Sequence, residues 1–351
     1  MRRDVPSLTA IRGVAAIYVV VHHLVEIYRW GRWSTPHTLT SMLFMGFTGV
    51  DLFFVLSGFI LTIVHLEMRL GELGQFALRR VLRIYPLHLS FLAMMVCLGW
   101  FSIIWPRQSL DWSTLPLVGS LLQPYFGLDH GLWNSLSWSA GVELSCYVAF
   151  PLGLFMLRRS PAWVLAGIVG LCAYEAWRVQ THYAGFWTGL PALERGWSGF
   201  ALGAAAGLLS ARVSLRFWSA SLLEFIGLGL IGWAVFSGQP PFVPLGSAAL
   251  IFALKAQKGP CNWLLSLRPL VYLGEISFSI YLVQMLVIFG FNNFWPVGAY
   301  PAITPVFLIR EALCLGALVA VSSVTYHSIE RPGQRLWRLR AKQPAYAVAG
   351  Q

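Results

Sequence analysis

Charged side chains are scarce in this chain, and acidic ones are the scarcest. Among 351 residues, Asp and Glu number 14, Lys and Arg number 25, and charged residues make up only 11%. In soluble domains, charged residues make up about 25% of the chain. Hydrophobic residues make up 57% of the chain and the mean hydropathy is +0.65. This balance excludes an ordinary soluble domain and indicates a polytopic membrane protein.

Other features are missing as well. The chain has no long polar stretch that could form a second, soluble domain, and it shows no internal repeat of the kind found in many transporters. Its five cysteines have no paired spacing, so they indicate neither a disulfide framework nor a metal site. The net charge of +11 comes from basic residues in short loops, which indicates membrane orientation rather than a nucleic-acid partner.

Apolar runs of about 20 residues, the length needed to cross a bilayer, recur along the chain. They predict an all-α, polytopic transmembrane bundle of about ten helices. The predicted spans lie near residues 8–27, 43–66, 84–104, 133–156, 162–178, 190–209, 218–236, 242–255, 272–291 and 304–326.

The distribution of basic residues predicts the orientation of this bundle. With ten spans, eighteen of the 25 basic residues fall on the side of the N-terminus, and five, including Arg107 and Arg195, fall on the other. Because cytoplasmic loops are enriched in Lys and Arg, both termini are predicted to be cytoplasmic.

The first span contains two polar residues on one face. Arg12 and His23 are eleven residues apart, which on a helix brings them within about 20° of each other and roughly 16 Å apart along the axis. Ionisable groups inside a membrane usually mark a site or a conduction route, so we expect a pocket along this face. His22 is turned away by about 100° and is expected to serve in packing or hydrogen bonding.

Three arginines precede the third span. Arg79, Arg80 and Arg83 would cluster on one side of a helix. Guanidinium groups bind phosphate oxygens in pairs, so the cluster suits a phosphorylated ligand. Spacing alone favours the simpler interpretation, an anchor on anionic lipid.

Two carboxylates lie within predicted spans. Glu143, in the fourth span, either forms a salt bridge, for example to Arg310, or lines a polar cavity. Asp51, in the second span, is either a structural ion-pair partner or part of a site. The nearby Ser57-Gly58 pair indicates close helix packing.

Further polar residues lie near the last span. Arg310 and Glu311 could pair locally, and Glu330 could either dock under the bundle or cap the preceding helix.

Several of these segments occur together in a recognisable order. They are Arg12 with His23, the stretch from Asp51 to Leu61, Arg80-Val81-Leu82-Arg83-Ile84-Tyr85-Pro86, Trp138-Ser139 with Val142-Glu143 and Tyr147, Phe150-Pro151, and Ile329-Glu330-Arg331-Pro332. In this order they resemble the membrane-bound acyltransferase-3 family, from about residue 5 to about residue 335. The chain is accordingly divided into a membrane domain at 1–335 and a short basic cytoplasmic tail at 336–351.

The resemblance implies an integral enzyme of the cell inner membrane. Such an enzyme takes an acyl group, commonly acetyl, from cytoplasmic acyl-coenzyme A and transfers it to a hydroxyl of a carbohydrate or lipid-linked glycan. The resemblance also implies that Arg12, His23, Arg80 and Arg83 are required for this activity.

Adding the chemistry of these residue types gives a predicted mechanism. The arginine cluster, with Arg79, would hold the phosphates of coenzyme A, and Arg12, His23 and Glu143 would form the catalytic set. His23 would act as a general base or as an acyl carrier, and no catalytic metal is expected.

Two positions depart from the family pattern. Gln284 stands where the family commonly has His, and Ala140-Gly141 replaces a more usual Leu-Ser pair. Gln284 has no titratable group, so a role that needs one at this position is not expected. The Ala140-Gly141 pair predicts a smaller, less polar pocket wall.

A different class of function also fits buried ionisable residues. A proton-coupled transporter or flippase for a glycan or small solute would use such residues as a relay. The missing internal repeat and the arginine cluster argue against it.

Overall fold

The structure, a computed structural model, describes residues 5–28, 37–103, 111–128, 133–159, 189–296 and 304–341, together with scattered positions between 162 and 177. These residues form helices and connecting turns, with no strand among them, which confirms the all-α prediction. In chain order the α-helices are α1 (Pro6–Tyr28), α2 (His37–Phe44), α3 (Gly49–His65), α4 (Leu73–Trp100), α5 (Leu115–Gly119), α6 (Trp138–Arg159), α7 (Gly189–Arg212), α8 (Phe217–Phe236), α9 (Val243–Leu254), α10 (Pro260–Leu265), α11 (Arg268–Glu275), α12 (Ser277–Phe294), α13 (Pro305–Thr325) and α14 (Arg331–Ala341).

Within the described ranges, seven helical stretches are long and apolar enough to cross a membrane. The stretches are Pro6–Ile27, Thr38–His65, Leu70–Trp100, Ser135–Met156, Phe217–Phe236, Ser277–Phe294 and Pro305–Leu336. The protein is therefore a multi-pass membrane bundle. The predicted span at 242–255 corresponds to the shorter apolar helix α9, and the one at 162–178 lies largely outside the described residues. The number ten and the side of each terminus stay predictions.

Several helix boundaries differ from those predicted from the sequence. Helix α4 begins at Leu73 instead of residue 84, so the arginine cluster lies inside a helix and not at the end of a loop. The ninth predicted span is divided into α11 and α12. The division placed at 335/336 falls inside α14, and residues 342–351 lie outside the described part of the chain.

Glycines allow α3 and α7 to touch along their backbones. A Cβ added at Gly58 would lie 1.9 Å from the carbonyl oxygen of Phe200, and one at Gly203 would lie 1.9 Å from that of Val55. No side chain fits at either position. Because small residues let helices approach closely inside a membrane, this contact confirms the packing role predicted for Gly58.

Helix α1 packs against α3, α11 and α12, so it runs through the middle of the described bundle. Its contact with α11 is also backbone to backbone, because a Cβ at Gly274 would lie 1.9 Å from the carbonyl oxygen of Thr9. Gly13, next to Arg12, faces the same contact. Helix α1, which carries Arg12, is therefore packed tightly against its neighbouring helices.

The C-terminal helix packs against α4 at Pro86, a proline inside that helix. Pro86 cannot donate a hydrogen bond to the carbonyl of Leu82, one turn earlier. Gly333 of α14 lies against this proline, since a Cβ there would be 2.8 Å from Pro86 Cβ. A single π-helical turn, Tyr326–Glu330, joins α13 to α14. Helix α14 therefore lies beside α4, the helix that carries the arginine cluster.

Candidate functional site

A cavity of about 810 Å³ opens between α1, α3, α4, α6, α12 and α14. We call it the arginine cavity, because six arginines line it: Arg12, Arg79, Arg80, Arg83, Arg331 and Arg335. Glu143 is the carboxylate among its described lining residues. Its size lies within the range of small-molecule sites, about 300–1,000 Å³. Such a surplus of positive charge suits a polyanionic ligand.

The α4 arginines are held at the cavity wall by aromatic and polar neighbours. The guanidinium of Arg80 lies 5.5 Å from the ring centres of both Phe76 and Tyr147. Arg79 donates to Gln75 Oε1 at 3.3 Å, one turn earlier. Cation–π contacts fix the guanidinium plane while leaving its N–H groups available to a ligand.

Glu143 lies in a polar group inside the cavity. Ser57 Oγ donates to Glu143 Oε1 at 2.7 Å, and the Tyr147 hydroxyl donates to the same oxygen. The alternative prediction, a salt bridge between Glu143 and Arg310, is wrong. Arg310 instead pairs with its neighbour Glu311, as the local alternative predicted. Glu143 is thus a cavity residue, and Ser57 is its partner, not merely a small packing residue.

A second carboxylate, Glu330, attracts two of the cavity arginines although it is not among the lining residues. Glu330 is 2% exposed and accepts hydrogen bonds from Ser279 Oγ at 2.7 Å and Gln334 Nε2 at 3.0 Å. It therefore docks inside the bundle. Both Arg12 and Arg83 are attracted electrostatically by Glu330 and Glu143. These attractions offset the repulsion between the two arginines and let both charges lie half-buried beside the cavity.

The C-terminal helix α14 supplies two further arginines. Arg331 and Arg335 are four residues apart, so they lie on one face of α14, and both line the cavity opposite the α4 cluster. Neither arginine was predicted to belong to the site. Their spacing along the helix was a usable signal, but only the tertiary structure shows that the face they share lines the cavity.

His23 is not among the residues that line the arginine cavity. Its Nδ1 lies 2.9 Å from the carbonyl oxygen of Val19 and 3.3 Å from Gln284 Oε1. The pocket predicted along the face shared with Arg12 therefore includes Arg12 but ends before His23.

One end of the cavity lies in a buried cluster that includes Val19, the residue one turn before His23. Val50, Phe54 and Tyr281 line the cavity and belong to the same buried cluster as Val19. Ser139 Oγ donates to the Tyr281 hydroxyl at 2.8 Å in the same region. His23 follows Val19 by four residues, so it lies about one helical turn farther along α1 than the residue that packs against this end of the cavity.

His22 is packed as the sequence predicted. Its ring is 3% exposed, contacts the ring of Phe44 with centroids 4.9 Å apart, and its Nδ1 lies 2.5 Å from the Phe44 carbonyl oxygen. One ligand atom each from His22, His23 and Glu26 lie within 4.8 Å of one another, close enough to hold a metal ion. The expectation of no catalytic metal stays a prediction.

Asp51 has a structural partner. Arg195 of α7 donates to both of its carboxylate oxygens, at 2.6 and 3.0 Å, and both side chains are buried. Arg195, counted in the sequence among the basic residues on the side opposite the N-terminus, is buried inside α7. The pair joins α3 to α7, and neither side chain is among the described residues that line the cavity.

Sequence relationships agree with this architecture. Residues 5–327 match the acyltransferase domain that defines the acyltransferase-3 family. The chain belongs to this family. The match covers every helix that lines the arginine cavity except α14, and the protein is a membrane acyltransferase.

Curated relatives of this acyltransferase-3 chain are also acyltransferases by name. Acyltransferase MdmB of Streptomyces mycarofaciens is 27% identical, and the alignment covers 94% of this chain and 92% of MdmB. BcsY of Komagataeibacter xylinus, named as a membrane-bound transacylase, is 27% identical over 95% of this chain and 83% of its own. A protein of Staphylococcus aureus strain COL named as an O-acetyltransferase is 23% identical, with 94% of this chain covering 57% of that protein. No solved structure matches this chain.

Proposed function

We propose that this acyltransferase takes an acyl group, most simply acetyl, from acyl-coenzyme A and transfers it to a hydroxyl of a carbohydrate or glycolipid. The observation that carries the proposal is the arginine cavity, which brings three arginines of α4 and two of α14 together with Arg12. Coenzyme A bears a 3′-phosphate and a diphosphate, roughly four negative charges in all. A polyanion of this kind matches the excess positive charge of the cavity.

The cavity also fits the elongated shape of this donor. The α4 and α14 arginines would bind the phosphates at the opening, which we place on the cytoplasmic side. The thioester arm would then run past Arg12 and Glu143 to the end of the cavity near Tyr281. The reactive thioester would then lie among the residues that pack with Val19, which precedes His23 by one turn of α1.

The reaction requires a base at this inner end. The acceptor hydroxyl would lose its proton to His23 as its oxygen bonds to the thioester carbonyl carbon. The carbon–sulfur bond then breaks, and the leaving thiolate takes up that proton to give coenzyme A and an acyl ester. The acceptor would enter from the outer side, because the donor fills the cavity from the other. Transfer across the membrane would thus occur at the layer of His23 and Tyr281.

Direct binding tests the donor. The full chain, purified in lipid nanodiscs, should bind radiolabelled acetyl-coenzyme A saturably, and unlabelled coenzyme A should compete. Native membrane vesicles containing the chain should then move the labelled acetyl group into the glycan fraction, compared with empty-vector vesicles.

The negative outcomes separate the alternatives. Binding without transfer into glycan would retain the donor and overturn the carbohydrate acceptor. No binding of acetyl-coenzyme A, together with proton-dependent solute uptake by reconstituted protein, would support the transporter alternative instead.

A further inference from the structure

The contacts of His23 determine which of its nitrogens carries the proton. Both groups that face Nδ1 are hydrogen-bond acceptors: the Val19 carbonyl oxygen at 2.9 Å and Gln284 Oε1 at 3.3 Å. An unprotonated Nδ1 would place its lone pair against two oxygen lone pairs. The neutral ring therefore carries its proton on Nδ1 and keeps the lone pair on Nε2.

The orientation of the Gln284 amide is itself determined by its surroundings. Its Nε2 donates to the Tyr281 carbonyl oxygen at 3.0 Å, one turn earlier in α12. That bond turns the amide nitrogen away from His23 and the amide oxygen toward it. Gln284 is 0% exposed, so water does not compete for either atom. The side chain thus acts as an acceptor that is aimed from α12 at the imidazole on α1.

We infer that Gln284 is a positioning residue, which holds the His23 ring with Nδ1 protonated and presents Nε2 as the nitrogen that accepts the proton of the attacking hydroxyl. This inference rests on the proposed function, in which His23 is the base. Among the described residues, Nε2 has no hydrogen-bond partner, as a base awaiting an acceptor hydroxyl requires. Gln284 does not line the donor cavity and its amide takes up no proton, so we expect its effect on the reaction to pass through His23.

Helix packing explains why a second acceptor matters. Val19 lies on the same helix as His23, and its carbonyl alone leaves the ring free to turn about its Cβ–Cγ bond. Gln284 lies 261 residues away in the chain and contacts the ring from a different helix. Two acceptors on two helices fix the ring plane, which keeps Nε2 pointing in one direction.

The test uses two substitutions at Gln284 in vesicles that contain the full chain. Gln284→Met keeps the length of the side chain and removes the acceptor, so kcat for acetyl-coenzyme A turnover should fall about tenfold or more with the KM for the donor unchanged. Gln284→Glu keeps an acceptor and should retain activity within a few-fold. The acid limb of its pH profile should move to higher pH, because a carboxylate stabilises the protonated imidazole. Gln239→Met, in the turn before α9, is the matched control.

A spectroscopic measurement supplies a readout that packing alone does not change. The ¹⁵N spectrum of the histidine-labelled full chain, assigned by difference from His23→Ala, should show His23 protonated at Nδ1, and Gln284→Met should show a mixture of tautomers. A His23 protonated at Nε2 in the unmodified chain, or unchanged kinetics in Gln284→Met, would overturn the inference.

Failure of the proposed function gives a different pattern. If His23→Ala keeps its activity, the imidazole is not the base and the proposed function loses its mechanism, whatever Gln284 does. If His23→Ala is inactive and Gln284→Met is normal, only the positioning role is wrong.

Discussion

Asp51 and Arg195, 144 residues apart in the chain, form a two-pronged ion pair inside the bundle. Arg195 also donates to the Phe47 carbonyl oxygen at 3.0 Å, and its guanidinium lies 5.3 Å from the Phe47 ring centre. Two charges buried in this way stabilise a fold only as long as both are present. The pair therefore fixes the register of α3 against α7, at the contact where Gly58 and Gly203 allow no side chain.

The ion pair predicts a specific pattern of stability. Asp51→Ala should destabilise the protein by about 3–5 kcal/mol, because it leaves the Arg195 charge buried without its carboxylate. The double variant Asp51→Leu/Arg195→Met should recover much of that loss. Thermal unfolding of the detergent-purified protein, followed by size-exclusion chromatography, would measure both. A single variant as stable as the parent would show that this pair does not join the helices.

The arginine cavity predicts a loss of donor affinity. Arg80→Ala or Arg83→Ala should weaken acetyl-coenzyme A binding by about 1.5–3 kcal/mol each, the value of a hydrogen bond to a charged group. Arg159→Ala is a suitable control, since Arg159 stacks on Phe155 at 4.6 Å outside the cavity. Equilibrium binding would measure the change, and a donor lacking the 3′-phosphate should reduce the difference between variant and parent. Variants that bind the donor normally but disappear from the membrane would instead favour a lipid anchor.

The two adjacent histidines should behave differently. His23→Ala should lower acyl transfer on the order of a hundredfold or more while protein amount and donor binding stay nearly unchanged. His22→Ala should keep substantial activity, because His22 packs on Phe44 and is not among the described residues that line the cavity. Arg12→Ala should lose part of its donor binding. Equal losses in both histidine variants, explained by protein amount, would assign His23 to packing and direct attention to Glu143.

Metal removal tests the group formed by His22, His23 and Glu26. We expect a chelator to leave acyl transfer unchanged, because a bound metal would occupy the lone pair that His23 needs for proton transfer. The assay is acetyl-coenzyme A turnover in vesicles, before and after treatment with EDTA. Activity that is lost to EDTA and restored by Zn²⁺ would overturn the prediction and make this group a metal centre.

The predicted orientation can be tested with reporter fusions. The asymmetry of basic residues predicts that a fusion after Gln351, and one at Arg158-Arg159, should score as cytoplasmic. A fusion near Arg107 should score on the opposite side. Paired alkaline phosphatase and green fluorescent protein fusions give opposite signals on the two sides. A C-terminus outside the cytoplasm would contradict the ten-span arrangement.

Local chemistry in the sequence was sufficient for the class of protein and for part of the site. Apolar runs require helices in a bilayer, because only a helix or a closed barrel satisfies the backbone there. Arg80 and Arg83 follow each other at helical spacing, so their clustering needed no tertiary information. The order of the motifs likewise predicted the family to which the chain belongs.

What the sequence alone could not decide was which distant groups meet. Arg195 is the partner of Asp51 because glycines bring α3 and α7 into contact, and Arg310 pairs with Glu311, its neighbour in the chain. Helical spacing placed His23 on the face of Arg12, but the described lining of the cavity includes Arg12 and not His23. Spacing along one helix is set by local backbone geometry, whereas the depth of a cavity depends on side chains from several helices, which only the tertiary structure brings together.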